Sequence, residues 1–223
     1  MTATTIAERV AAVRSRIDAA ARAAGRDPAA VRLVAACKTV PPERIAEAAA
    51  AGVTDVGENR AQELLAKAPA LAGVIDDRAP LVWHFLGVLQ RNKVRPLASW
   101  VRCWQSVDRP ELAPLIARHA PRTRVLVEVN VAGEPQKAGC APADASALVD
   151  ALHDAELDVA GLMTVPPQGD DPRPWFATLR ELASRLGLAE LSMGMTDDFE
   201  LAIAEGATMV RIGRALFGPR DAI

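Results

Sequence analysis

Arg124-Val125-Leu126-Val127-Glu128-Val129-Asn130-Val131 is apolar on both of its alternating faces. Successive side chains of a strand point to opposite sides, so a strand of this kind needs cover on both. That is the habit of a parallel sheet clothed in helices. Working outward from it, seven more short apolar runs appear: Arg32–Cys37, Val53–Gly57, Leu81–Gly87, Val101–Val107, Asp158–Thr164, Ala189–Met193 and Thr208–Gly213. Helical patterns separate them, over 42–51, 59–71, 90–98, 109–119, 142–154, 173–187 and 197–205. An amphipathic stretch, 5–25, precedes the first run, with Ile6, Val10, Val13 and Ile17 at helical spacing and Gly25 as the stop. A short piece, 214–217, follows the last.

Eight runs joined by crossover helices predict one α/β domain over 1–223, a (β/α)8 TIM barrel with an extra N-terminal helix. A doubly wound sheet is the rival, and periodicity alone leaves it open. The lack of a Gly-x-Gly-x-x-Gly turn after the first run weakens its dinucleotide-binding version. The Pro/Gly-rich stretches 131–142 and 164–174 follow the fifth and sixth runs, so they read as loops over an active face and not as linkers.

Composition narrows the function. The 26 Lys+Arg nearly cancel the 28 Asp+Glu, to a net charge of −2. That balance argues against a nucleic-acid partner, which calls for a basic excess or stripe. No segment approaches the length of apolar sequence that a membrane helix needs, and the first residues carry no secretory signal pattern. Cys37, Cys103 and Cys140 are odd in number and irregular in spacing, which fits neither a disulfide framework nor a zinc site. A cytoplasmic protein is the expectation. The 223 residues include no tyrosine, which removes one common general acid/base.

In a parallel barrel the C-terminal ends of the strands share one mouth, where chemistry gathers. The strand ends here offer Lys38, Glu58-Asn59, His84, Ser106 to Asp108, Asn130, Met163-Thr164, Ser192-Met193-Gly194-Met195 and Arg211, Gly213 and Arg214. Lys38 has the strand parity of Val34 and Ala36. If that face is the inner one, burial disfavours its charge and makes the amine a nucleophile suited to a Schiff base; the alternative is a lysine snorkelling at the rim. The turns Ser192-Met193-Gly194-Met195 and Gly213-Arg214 follow the seventh and eighth runs, where barrels often seat a phosphate on backbone N–H groups. Asp197 and Glu200 read as capping residues of helix 197–205. Arg211 shares a face with Met209 and Gly213 and is expected to point inward. A lysine aldimine, a phosphate seat and an inward arginine facing a pyridine nitrogen together describe pyridoxal 5′-phosphate.

Ala36-Cys37-Lys38-Thr39, Gly57-Glu58-Asn59, Trp83-His84-Phe85-Leu86-Gly87, Leu191-Ser192-Met193-Gly194-Met195-Thr196-Asp197-Asp198 and Val210-Arg211-Ile212-Gly213-Arg214-Ala215-Leu216-Phe217-Gly218 resemble, in order and over nearly the whole chain, the pyridoxal phosphate homeostasis protein family. The resemblance implies a barrel similar to the N-terminal domain of alanine racemase, with the cofactor held covalently. It implies Lys38 as the aldimine lysine, Arg211 as partner of the pyridine nitrogen and Asn59 beside the ring. Ser192, Gly194, Met195, Gly213 and Arg214 would hold the phosphate. Two departures stand out: Arg214 replaces a hydroxyl residue, and Lys137-Ala138-Gly139 replaces Lys-Ser-Gly. His84 fits either a pocket residue or a buried structural histidine.

The resemblance implies a carrier that stores or delivers pyridoxal phosphate, with PLP-dependent apoenzymes as recipients. An amino-acid racemase is the alternative, but relatives of that kind use a tyrosine from a second domain, and this chain has neither. A Schiff-base aldolase is a third reading. A monomer is expected.

Overall fold

In the computed structural model, residues 4–72, 80–169 and 171–218 are described. Parts of the expected 1–223 domain and of loop 164–174, namely 1–3, 73–79, 170 and 219–223, lie outside the described residues. Eight parallel strands form a closed barrel in chain order: β1 (Arg32–Ala36), β2 (Asp55–Glu58), β3 (Val82–Phe85), β4 (Val101–Val107), β5 (Arg124–Glu128), β6 (Asp158–Met163), β7 (Glu190–Ser192) and β8 (Met209–Ile212). Closure is direct, with Val34 paired to Arg211 and Ala35 to Ile212. A doubly wound sheet has open edges, so this pairing excludes it. No described helix is long and apolar enough to cross a membrane.

The helices among the described residues are α1 (Ile6–Ala23), α2 (Pro42–Ala50), α3 (Ala61–Ala72), α4 (Arg91–Leu97), α5 (Ala113–His119), α6 (Ala145–Asp154), α7 (Arg173–Arg185), α8 (Phe199–Ala204) and α9 (Arg214–Phe217). The extra helix α1 starts on a capping box, in which Thr5 Oγ1 accepts from the Glu8 N–H and Glu8 accepts from the Thr5 N–H. Its stripe of Ile6, Val10, Val13, Ile17 and Ala21 is buried against α2, α8 and α9. Each large aliphatic side chain there contributes roughly 1.5–3 kcal/mol. Arg16 adds an ion pair to Glu200 at 2.6 Å and lies 4.5 Å from the Phe199 ring centroid. The first helix thus covers the seam where the last strands meet the first.

Strand alternation sorts the apolar residues into two cores. Val34, Cys103, Leu126, Met163 and Met209 pack inside the barrel, while a larger core fills the space between strands and helices.

Several elements begin or end away from their sequence-based bounds, each for a local reason. The fifth strand stops at Glu128, because Val129 bridges back to Cys140 and Asn130 exchanges bonds with Glu134. That fold-back also delays α6 to Ala145. The helix expected over 109–119 divides into a 3-10 turn, Pro110–Leu112, and α5. Pro114 lacks the N–H that would continue a helix through it. Helix α8 starts at Phe199, not 197.

Candidate functional site

Because β1 and β8 pair, residues from the two ends of the chain meet at one mouth. A Cβ on Gly213 would lie 3.2 Å from the Ala36 carbonyl oxygen, and Lys38 follows two residues later. The strand ends before Lys38. Cys37 N–H makes a last ladder bond to Gly57 O at 2.8 Å, and the chain then turns, closed by Val40 N–H to Cys37 O at 2.9 Å. Thr39, at φ 64°, makes that turn left-handed. Lys38 therefore sits half-buried in a turn at the rim, not enclosed on the apolar inner face as its parity implied. Val34, of the same parity, does face inward.

Arg211 points inward as expected and is 5% exposed. Its Nη1 donates to Ser192 Oγ and its Nη2 to the Thr164 carbonyl, both at 2.8 Å. From there a chain of buried bonds crosses the barrel. Ser192 Oγ donates to Gln105 Oε1 (2.6 Å), and Gln105 Nε2 donates to His84 Nδ1 (2.7 Å). His84 Nε2 then donates to Asp55 Oδ1 (3.0 Å). Arginine can only donate and an ionised aspartate only accept, so each link runs in one direction and His84 carries its proton on Nε2. His84 is thereby a structural histidine of the interior. The Ser192 hydroxyl belongs to the same chain, accepting from Arg211 and donating to Gln105.

Burial pushes Arg211 down to about 10, against the pull of Glu128 and Asp198. Glu128 was not among the sequence candidates. It is 9% exposed, and burial together with the Asp108 carboxylate raises it to about 7 while Arg211 pulls it back. Its signal was present in the sequence: one acid at the parity of Leu126 in an otherwise apolar run.

The turns after β7 and β8 lie side by side. Gly194, at φ 91°, packs so tightly on α8 that a Cβ would lie 2.5 Å from that of Ala202. Among the described residues the backbone N–H groups of Gly194, Gly213 and Arg214 have no hydrogen-bond partner. The Met195 N–H does, donating to Asp198 Oδ1 at 2.6 Å, so Asp198 occupies the contact expected for a phosphate. Burial raises the Asp198 pKa, with the Met195 N–H working against it. Asp197 does not cap α8 but pairs with Arg214, tying the two turns together; Glu200 pairs with Arg16 of α1. Asn59 lies exposed just past β2, its N–H on Glu58 Oε1 at 2.8 Å. Lys137 bridges the two long loops, donating to the Pro166 carbonyl at 2.9 Å and pairing with Glu134.

Residues 9–221 match the family model described as alanine racemase, N-terminal domain. The chain is 48% identical to the pyridoxal phosphate homeostasis protein of Pseudomonas aeruginosa, covering 97% of this chain and 96% of that protein. It is 44% identical to the protein of the same name from Aquifex aeolicus, over 96% of this chain and 97% of that one. The solved structure of PipY from Synechococcus elongatus with PLP bound superposes with a TM-score of 0.82 at 36% identity, covering 96% of this chain and all of that one. Likeness on this scale spans both ends of the sequence that barrel closure joins, and it makes the chain a member of the pyridoxal phosphate homeostasis protein family.

Proposed function

We propose that this protein binds pyridoxal 5′-phosphate, holds it covalently through Lys38, and stores or delivers it without efficient turnover. The observation that carries this reading is the juxtaposition made by the β1–β8 pairing. The half-buried Lys38 lies two residues past Ala36, whose carbonyl oxygen a Cβ on Gly213 would approach to 3.2 Å, and on the paired strand Arg211 commits two of its five N–H donors to the described residues. An arginine with donors to spare suits an acceptor such as a pyridine nitrogen. The uncommitted N–H groups of Gly194, Gly213 and Arg214 suit a phosphate. Asn59 is assigned beside the ring and Ser192 to the orientation of Arg211. Met195 is not carried into the phosphate seat, because Asp198 takes its N–H.

When bound, the cofactor supplies an aldehyde that condenses with a primary amine and an electron-withdrawing ring. A protonated Arg211 would donate to the ring nitrogen and leave it unprotonated, which would weaken the ring as an electron sink. With no tyrosine in the chain, the acid/base pair of a two-base racemase is also missing one common member. Both points favour carriage over catalysis. The reading extends to one binding domain over 1–223, acting as a cytoplasmic monomer that supplies PLP-dependent apoenzymes. Three free thiols and a net charge of −2 accord with it.

Intact-mass measurement after borohydride reduction, followed by peptide mapping, tests the proposal. The expected result is one reduced pyridoxyl phosphate adduct on Lys38, with visible absorbance lost in Lys38→Ala, and no racemisation of common amino acids above background. An adduct on another lysine would refute the assignment of Lys38, and vigorous turnover would refute the carrier reading.

A further inference from the structure

Lys67 of α3 is almost fully buried, and nothing above uses it. Its ammonium makes three bonds: to Cys37 O at 2.8 Å, to Glu58 Oε2 at 2.7 Å and to Glu63 Oε2 at 2.6 Å. A lysine has three donors, so all are spent. Glu63 Oε2 also accepts the Thr39 N–H at 2.9 Å. The Cys37 carbonyl and the Thr39 N–H belong to the two peptide planes on either side of the Lys38 Cα. Two soft torsions relate those planes, and they are the φ and ψ of Lys38.

We propose that Glu58, Glu63 and Lys67 form a clamp that sets the backbone torsions of Lys38 and so aims its side chain, which makes them positioning residues for its amine. The role of the amine rests on the function proposed above; the holding of the turn does not.

Two further observations support the clamp. Thr39 is β-branched, and at φ 64° it occupies the third position of a tight turn where glycine is favoured. Left to itself the turn would relax, so something outside it must hold it. Buried ion clusters, for their part, add little net stability over apolar packing, and an aiming role accounts for this one better. Burial works against the charge on Lys67, yet its bonds to Glu58 and Glu63 outweigh that and raise its pKa. Burial raises the pKa of Glu58, against the pull of Lys67.

The test uses the full-length chain with Glu63→Ala and Glu63→Gln, the second of which keeps an oxygen for the Thr39 N–H. Glu63 is partly exposed, at 21%, so neither change opens the core. Without cofactor, NMR-detected hydrogen exchange at Thr39 should accelerate roughly tenfold or more in the alanine variant, while the β1 amides keep their rates. The glutamine variant should stay within about threefold of the parent. With pyridoxal phosphate added, formation of the borohydride-reducible bond at Lys38 should slow in parallel, again roughly tenfold, and recover in Glu63→Gln. Unchanged Thr39 exchange in Glu63→Ala would overturn the clamp. Faster exchange with an unchanged rate of bond formation would overturn its aiming role. If the unaltered protein forms no bond while the exchange pattern appears, the cofactor reading fails and the hold on the turn stands.

Discussion

Replacing Glu128 with glutamine should stabilise the protein in a way that depends on pH. Glu128 is buried inside the barrel mouth, and burial with the Asp108 carboxylate raises it from 4.5 to about 7, with Arg211 pulling in the opposite direction. The folded state therefore holds this proton more tightly than the unfolded chain does. The stabilisation associated with that proton is complete below about pH 4.5 and is lost as pH rises through about 7. A shift of that size corresponds to about 3 kcal/mol between the two protonation states. The amide keeps the shape and never ionises. Glu128→Gln should therefore be more stable than the parent by about 2–3 kcal/mol at pH 8.5, the gap narrowing to about 1 kcal/mol at pH 5. Urea unfolding at intervals between those values, with slopes compared to confirm the same transition, measures it. Parallel stability profiles for the two proteins would refute the placement of Glu128 as a buried acid beside Arg211.

Other perturbations probe the interior chain and the mouth. Gln105→Leu conserves bulk but strips partners from His84 Nδ1 and the Ser192 hydroxyl, both on fully buried residues, and should cost about 2–5 kcal/mol in urea unfolding; a loss under about 1 kcal/mol would contradict the network. Gly87→Ala should be far more damaging than Gly133→Ala. A methyl at Gly87 would overlap the Asn59 carbonyl, whereas at Gly133 it meets nothing within 4 Å and incurs only the left-handed backbone penalty of about 1 kcal/mol. Equal melting temperatures for the two variants would show that the Asn59 turn yields freely.

The alternation of apolar runs and amphipathic helices carried the barrel, because each pattern follows from one local rule: period two for strands, 3.6 for helices. The inward direction of Arg211 was legible as well, from its parity with Met209; that of Lys38 was not, because the strand ends before it and a turn carries it to the rim despite its parity with Val34. Nor were the turn ends. Asp197 and Glu200 read as capping residues, and only the folded chain pairs Asp197 with Arg214 and Glu200 with Arg16, and turns Asp198 to the Met195 N–H. The partner of the Ser192 hydroxyl was not legible either: it meets Gln105, 87 residues away in sequence.

The amino-acid sequence by itself determined the element order, the strand count, the apolar stripe of α1 and the residue types at the strand ends, since each depends on near neighbours. Tertiary structure alone decided that β1 and β8 would pair, that the Lys38 turn would be gripped from α3, and that a hydrogen-bond chain would run from Arg211 to Asp55. Those contacts join residues up to 177 positions apart, as in the Val34–Arg211 pairing. No local rule can specify a partner at that distance; it is set by closing the sheet and by pairing the polar groups that closure seals between Arg211 and Asp55.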